Sequence, residues 1–366
     1  MNTTRLNNIH EPSRRIAWID HAKALTIVLV VLLHTHCNPA VSHAITACCM
    51  PTFFFLSGYL FSPERNPSFR RFAAKRFRQL IVPYIWIGIL SFPFILYFRN
   101  FDLIYSGLST AESLTGFLLG IPAMLEYNDP LWCFPCFYIV ELACYPLLRR
   151  GISPFWIIAG SVAGTCLLSL AGPDFAGHLP YALGPAIPSL GFYAAGYACR
   201  RHGFGRPGVL RIVGNPVTVL VTGSAFWLAQ SANSYAAYYT CDLGNLPLFY
   251  IASVTGALAL IGICVLPARI FGNPKLTRFI SVNSLLICGL HVPMFYLIIT
   301  AAWYLFHLKP IELRSGLLTG IPYTLLTVAL TLPICYAVTR WLPFLTDKRW
   351  LPKPASEGGA DTPGNK

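Results

Sequence analysis

The sequence predicts an all-α protein, a polytopic bundle of about ten transmembrane helices, and three observations support this prediction. Only 11% of the 366 residues are charged, whereas a soluble globular chain carries about 25%. Hydrophobic residues make up 55% of the chain, which excludes intrinsic disorder. The apolar segments are unbroken over about twenty residues, as transmembrane helices require, and do not show the alternating pattern of membrane barrels.

Ten segments have the length and hydropathy of membrane-spanning helices. Each is separated from the next by a polar or turn-forming stretch. An even number of spans places both termini on the same side of the membrane, which we predict to be the cytoplasmic side. The predicted spans are 17–37, 44–62, 80–98, 131–148, 154–172, 184–199, 212–230, 246–268, 281–305 and 316–340.

The distribution of charge gives the orientation of these spans. With both termini cytoplasmic, the outer segments hold only Arg99, Lys309 and Arg314 as basic residues. Lys23 lies within a span, and all remaining basic residues fall inside, as the positive-inside rule requires. The net charge of +13 therefore indicates contact with anionic lipid head groups and not with nucleic acid.

The chain divides into one membrane domain, residues 1–345, and a polar tail, residues 346–366, which we predict to be disordered and cytoplasmic. The outer segment 99–130 contains the apolar stretch Gly116–Leu125, which is too short to span. We predict a helix there that lies at the surface or dips back. Residues 14–44 imitate a signal peptide, but the segment is too long and its apolar run contains ionisable residues, so we expect no cleavage.

The first span contains three ionisable residues, Asp20, Lys23 and His34. A charge in hydrocarbon costs several kcal/mol and usually serves function. Helical geometry turns Lys23 and His34 to within about 20° of each other, roughly 16 Å apart along the axis, with Asp20 about 40° from His34. The pattern predicts a polar face toward the protein interior or a water-filled cleft. The alternative is an interfacial Asp20–Lys23 pair with His34 at the other interface.

Further candidates lie along the chain. Lys75 and Arg78, one turn apart between spans two and three, could grip phosphate groups together; the alternative is a positive-inside anchor. His291 in the ninth span is equally compatible with a structural and a functional role, whereas a structural role is favoured for Glu141 in the fourth. Cys133 and Cys136 have redox spacing, but no strand or second pair accompanies them, so ordinary packing is preferred.

These residues resemble the motifs of membrane acyltransferase family 3, bacterial integral-membrane O-acyltransferases that modify sugars of surface polysaccharides. The first span, with an acidic residue, a basic residue and then His34, is similar to the family's opening motif, although Arg is more common there than Lys23. Other similarities follow in order over residues 17–295. They are the second-span stretch Met50 to Tyr59, the basic loop Lys75 to Tyr84, the stretch Leu131 to Pro135, and Ser284 to His291.

The resemblance implies that an acyl group, most simply acetyl, moves from cytoplasmic acyl-CoA to a sugar hydroxyl in the bacterial inner membrane. His34 would be the general base. Lys23 would stabilise the thioester oxyanion or a CoA phosphate, and Asp20 would balance its charge. Lys75 and Arg78 would hold the CoA phosphates. The late-span residues Ser284 and His291 would contact or support the substrates.

Neither a metal nor a permanently bound cofactor is implied; acetyl-CoA or another acyl-CoA is a donor substrate. The acceptor would be an exopolysaccharide repeat unit or a lipid-linked oligosaccharide, and the sequence does not distinguish these, the acyl group or the oligomeric state. A different class, a proton-coupled transporter or a lipid-linked glycan flippase, would use Asp20, His34 and His291 as an ion relay. Transporters show repeated halves with matching broken helices, and the sequence shows no such repeat.

Overall fold

The computed structural model describes residues 15–98, 107–233, 236–309 and 312–347. The predicted disordered tail from residue 348 onward, and Arg99, lie outside the described residues. Within the described residues the chain is all-helical and forms no strand. Its α-helices are α1 (Ala17–Leu33), α2 (Pro39–Leu60), α3 (Phe69–Phe98), α4 (Thr110–Leu119), α5 (Cys133–Arg149), α6 (Pro154–Ala171), α7 (Pro173–His178), α8 (Leu183–Arg201), α9 (Pro207–Val213), α10 (Pro216–Ala232), α11 (Leu246–Ile270), α12 (Lys275–Val282), α13 (Ser284–Phe306) and α14 (Leu317–Trp341).

Helix starts follow from local side-chain chemistry. Asn38 accepts a hydrogen bond from the Val41 amide at 3.1 Å, and Asn245 caps α11 in the same way. Such caps satisfy amide groups that have no partner within the helix. Proline occupies the first or second position of α2, α6, α10 and α11, where its missing N–H costs nothing. The start of these helices is therefore encoded within a few residues.

The described helices do not confirm the predicted count of ten membrane spans. Seven described helices are long and apolar enough to cross a membrane. An eighth crossing is available if α9 and α10, which meet at a bend of 55°, form one span. The predicted spans 17–37 and 184–199 coincide with α1 and α8, which are not among them. The reason lies in their sequences, since α1 carries Asp20 and Lys23 over only 17 residues, and α8 is rich in Gly and Pro.

The first helix is shorter than the predicted span. Helix α1 ends at Leu33, and His34 is its C-terminal capping residue. His36 adopts a left-handed φ of 52°, which turns the chain away from the helix axis. The functional candidate His34 therefore sits at the end of the helix, not within it.

Helix α1 lies at the centre of the bundle. It packs against α2, α11, α12, α13 and α14. Close backbone contact brings α2 and α8 together, because Gly58 lies against the Tyr193 carbonyl and Gly196 against the Phe55 carbonyl, where a Cβ would clash. The leucines of α6, α10 and α14 are largely exposed, as expected for a surface that meets lipid. Polar side chains of α1 are thereby enclosed by protein.

The apolar stretch 116–125, predicted to form a helix that lies at the surface or dips back, is folded onto the bundle. Helix α4 begins with a capping box between Ser109 and Glu112. The hydrogen bond that the Ser109 backbone N–H donates to the Glu112 carboxylate holds the pKa of that carboxyl below its usual range. Phe117 is buried, and its carbonyl accepts a hydrogen bond from the Tyr84 hydroxyl at 2.5 Å. Gly120 then ends the helix with a left-handed φ of 61°.

Candidate active site

A cavity of about 390 Å³ lies between α1, α2, α3, α5 and α13. One end, called here the basic end, is lined by five cationic side chains: Arg15, Lys23, Arg65, Lys75 and Arg76. The cavity continues along α1 and α13 to Val30, Cys133 and Cys288. Ser284, at the start of α13, lines its wall and is buried. The cavity therefore joins a cationic opening to an apolar interior.

Three of these cations are available to an anionic ligand. Arg15 lies 3.6 Å from the Asp20 carboxylate, and Arg76 pairs with Glu141. Among the described side chains, no carboxylate lies within ion-pair distance of Lys23, Arg65 or Lys75. Ammonium and guanidinium groups without a countercharge are the side-chain groups that commonly bind phosphate in proteins. The basic end is thus suited to a polyphosphate.

Of the predicted phosphate-binding residues Lys75 and Arg78, the structure brings only Lys75 to the cavity. The Arg78 side chain is exposed, and its Nε donates to the Ala74 carbonyl at 3.3 Å. The cavity-facing side of α3 carries Phe72, Lys75 and Arg76, whose mean direction is about 110° from Arg78 at 100° per residue. Arg76 and Arg65 line the cavity instead of Arg78.

Glu141 is the countercharge of Arg76 in the cavity wall. The two side chains form a two-point ion pair through the guanidinium Nε and Nη2. The Ser57 hydroxyl donates to Glu141 Oε1 at 3.1 Å, and Arg76 Nη1 donates to Gln79 Oε1 at 2.7 Å. This network joins α2, α3 and α5, and it is the structural role for which the sequence had favoured Glu141.

Asp20 anchors the start of α1 to the segment that leads into α13. It is buried and accepts hydrogen bonds from Asn273 Nδ2 and Ser281 Oγ, both at 2.6 Å. Its ion pair is with Arg15 at 3.6 Å. Lys23, whose charge it had been predicted to balance directly, is not within 4 Å of it, so any influence of Asp20 on Lys23 acts through space.

His34 meets a carboxylate at the end of the bundle opposite the basic end. Its Nδ1 lies 2.7 Å from the Val30 carbonyl, and because a carbonyl only accepts, the proton is on Nδ1 in the neutral ring. Nε2 lies 3.4 Å from Asp129 Oδ2. The Asp129 side chain is 45% exposed, against 13% for His34. The basic nitrogen of His34 therefore points toward an accessible acidic group.

His291 lies beside His34, with ring centroids 4.8 Å apart. It is fully buried, and its Nδ1 is 3.0 Å from the Ile287 carbonyl. Its Nε2 has no hydrogen-bond partner among the described residues. The structure thus joins the first-span and ninth-span candidates into one imidazole pair, one helical turn beyond the cavity-lining residues Val30 and Cys288.

Asp129 is a residue that sequence reasoning did not select. It lies in the outer segment 99–130, three positions before Trp132. Asn128 fixes this segment, because its Nδ2 donates to Ser91 Oγ at 2.9 Å and to the Gly289 carbonyl at 2.8 Å. The carboxylate is therefore held beside His34 by buried hydrogen bonds to α3 and α13.

The fold and this site define an integral-membrane helical protein in which a cavity with a cationic opening extends toward a pair of imidazoles. Comparison with known families supplies the chemistry: a family model described as an acyltransferase domain matches residues 16–340. The chain belongs to membrane acyltransferase family 3, and it is a multi-pass membrane acyltransferase. No curated protein and no solved structure matches the chain.

Proposed function

We propose that this protein is an O-acetyltransferase that moves an acetyl group from cytoplasmic acetyl-CoA to a sugar hydroxyl. The acceptor is an exopolysaccharide repeat unit or a lipid-linked oligosaccharide, and the site of action is the bacterial inner membrane. The observation that carries the proposal is the continuity of one cavity from three unpaired cations to the region directly below His34 and His291.

The donor fits the cavity by charge and by polarity. The CoA phosphates lie at the basic end against Lys75, Arg65 and Lys23, whose charges are not compensated by described carboxylates. The neutral pantetheine arm extends between α1 and α13 toward Val30 and Cys288. Lys23 is about 16 Å from His34 along the helix axis, so a phosphate contact suits it better than an oxyanion contact at the thioester.

His34 acts as the general base for the sugar hydroxyl. Its Nδ1–H donates to the Val30 carbonyl, so in the neutral ring the Nε2 lone pair, which faces Asp129, can accept a proton. General-base assistance by imidazole contributes about 10²–10⁴-fold to rate. Asp129 stabilises the imidazolium that forms, and its exposed carboxylate can accept a hydrogen bond from a neighbouring sugar hydroxyl. The proton then passes to the sulfur atom that leaves the acetyl group as the ester forms.

The orientation follows from the charge distribution. Both termini and the basic end face the cytoplasm, where acetyl-CoA is made, and Asp129 faces the outside. Reporter fusions after Arg206 and after Asn245 should therefore lie on opposite sides, the first cytoplasmic and the second external. Two fusions on the same side would contradict this orientation.

The function is tested by measuring the acetyl content of purified glycan. Deleting the gene should remove one or more acetyl masses, wild-type protein should restore them, and His34→Ala should not. His36→Asn is the matched control, because His36 is an exposed neighbour and Asn accepts its left-handed backbone. Full acetylation by His34→Ala at equal protein abundance would exclude His34 as the base, and an unchanged glycan in the deletion strain would exclude the function.

A further inference from the structure

Two thiols lie where the cavity ends below the imidazole pair. Cys288 on α13 and Cys133 at the start of α5 are buried, line the cavity, and have their Sγ atoms 3.6 Å apart. Both are free thiols. Cys288 precedes His291 by three residues on α13, so their side chains are neighbours on one helix face. The donor cavity therefore ends at a thiol that stands next to an imidazole.

His291 has the properties of a base without an assigned partner. The Ile287 carbonyl holds the proton on Nδ1, which leaves a lone pair on Nε2. No described residue donates to that nitrogen, although the side chain is fully buried. An unsatisfied buried polar atom costs about 1–3 kcal/mol, and a catalytic role is one of the explanations for retaining it. A thiol beside an imidazole base is a common arrangement for covalent catalysis.

The position of the two substrates explains why such a thiol is useful. The cavity lining reaches Val30 and Cys288, one turn below His34 and His291. The accessible carboxylate of Asp129 lies on the other side of His34. Direct transfer needs the hydroxyl oxygen within about 3–3.5 Å of the thioester carbon, while CoA and a glycan both occupy the site. An acyl group held on Cys288 removes the need for both bulky molecules at once.

We propose that Cys288 carries the acyl group as a transient thioester between donor and acceptor, an inference that rests on the proposed acetyl-CoA-dependent function. Cys288 Sγ attacks the carbonyl carbon of acetyl-CoA, the new carbon–sulfur bond forms, and the bond to the CoA sulfur breaks. The thiol proton passes through His291 Nε2 to the departing CoA sulfur, which leaves as free CoA thiol. One thioester replaces another, so this step requires no oxidant and little energy.

In the second half of the reaction, the sugar hydroxyl oxygen attacks the carbonyl carbon of acetyl-Cys288. His34 takes the hydroxyl proton, the carbon–oxygen bond forms, and the bond to Cys288 Sγ breaks. The proton then returns to the Cys288 sulfur, which regenerates the thiol and releases the sugar ester. His291 thus serves the donor half of the reaction and His34 the acceptor half.

The test uses full-length protein purified in detergent, radiolabelled acetyl-CoA and no acceptor. Rapid acid quenching should leave a protein-bound label that neutral hydroxylamine removes, because a thioester survives acid and reacts with hydroxylamine. An acetyl-imidazole would be lost in the acid. Peptide mass analysis of the wild-type protein should place one acetyl group on Cys288, and adding acceptor should discharge it. This measurement needs no variant.

Variants separate the relay from packing. Cys288→Ala should lose the label and lower transfer by about tenfold or more. Cys136→Ala should keep both, because Cys136 is equally buried on α5 but contacts Ser189 and does not line the cavity. A label on Cys133, transfer by wild-type protein that leaves no acid-stable label, or transfer by Cys288→Ala at the wild-type rate overturns the relay and leaves the acetyltransferase function standing. Wild-type protein that neither transfers nor becomes labelled overturns both.

Discussion

Replacing Asp129 with Asn removes the charge next to His34 and keeps the side-chain size. The carboxylate and His34 Nε2 are 3.4 Å apart. Two unit charges at that distance attract by about 5 kcal/mol at an effective dielectric constant of 20 and by about 1 kcal/mol in bulk water. The Asp129 side chain is 45% exposed, so solvent screens much of the attraction, and about 1–2 kcal/mol is the appropriate range. Asp129→Asn should therefore slow transfer roughly 5–30-fold.

The assay is the initial rate of acetyl transfer to acceptor glycan at saturating acetyl-CoA. Asp174→Asn, at an exposed acidic residue on α7, is the control for a general change of surface charge. In a His34→Ala background, Asp129→Asn should add nothing, because the imidazolium that it stabilises is absent. A wild-type rate for Asp129→Asn, or a full additional loss in the His34→Ala background, would refute the proposed partnership.

Three further substitutions test the cavity and its supports. Lys75→Gln should raise the KM for acetyl-CoA several-fold, whereas Arg78→Gln, outside the cavity, should leave the KM unchanged. Equal effects of the two changes would mean that the basic residues of α3 act only through their overall positive charge. Glu141→Gln removes the charged partner of the partly exposed Arg76 and should lower the free energy of unfolding by about 3 kcal/mol. Adding Arg76→Gln should recover part of that loss, and an unchanged unfolding midpoint in the single variant would contradict the role of the ion pair. Asp20→Ala leaves the buried Ser281 hydroxyl and the half-buried Asn273 amide without their acceptor. The loss is about 1–3 kcal/mol for the buried donor and less for the other, and a fall in the unfolding midpoint should reveal it.

The features encoded over short stretches of sequence were predictable. Helices occur at each segment that hydropathy selected, because an apolar stretch in a membrane must satisfy its own backbone hydrogen bonds. The polar face of the first span was also visible, since its cost in hydrocarbon demands an interior position. The count of ten crossings is not confirmed, because the enclosed helices α1 and α8 are short or rich in Gly and Pro and do not have the length and apolarity of a membrane span.

The features that depend on the rotation and packing of helices were not predictable. Lys75 and Arg78 satisfied the one-turn rule, but the rule does not say which side of α3 meets the cavity, and Arg76 faces it instead. No local sequence pattern distinguishes Asp129, because its position beside His34 depends on the hydrogen bonds that Asn128 makes to α3 and α13. His34 and His291 lie on helices far apart in the chain, and only the fold brings their rings together.

The neighbouring rings of His34 and His291 also bear on how well the membrane is sealed. In the proposed orientation, the cavity reaches to within about one helical turn of the two imidazoles from one side, and the accessible carboxylate of Asp129 lies against His34 on the other. The same two rings must then block the passage of small ions between the two sides of the membrane while an acyl group is transferred. Replacing His291 with Gly should make liposomes that contain the protein leak protons. An assay of acetyl transfer alone would not detect this leak.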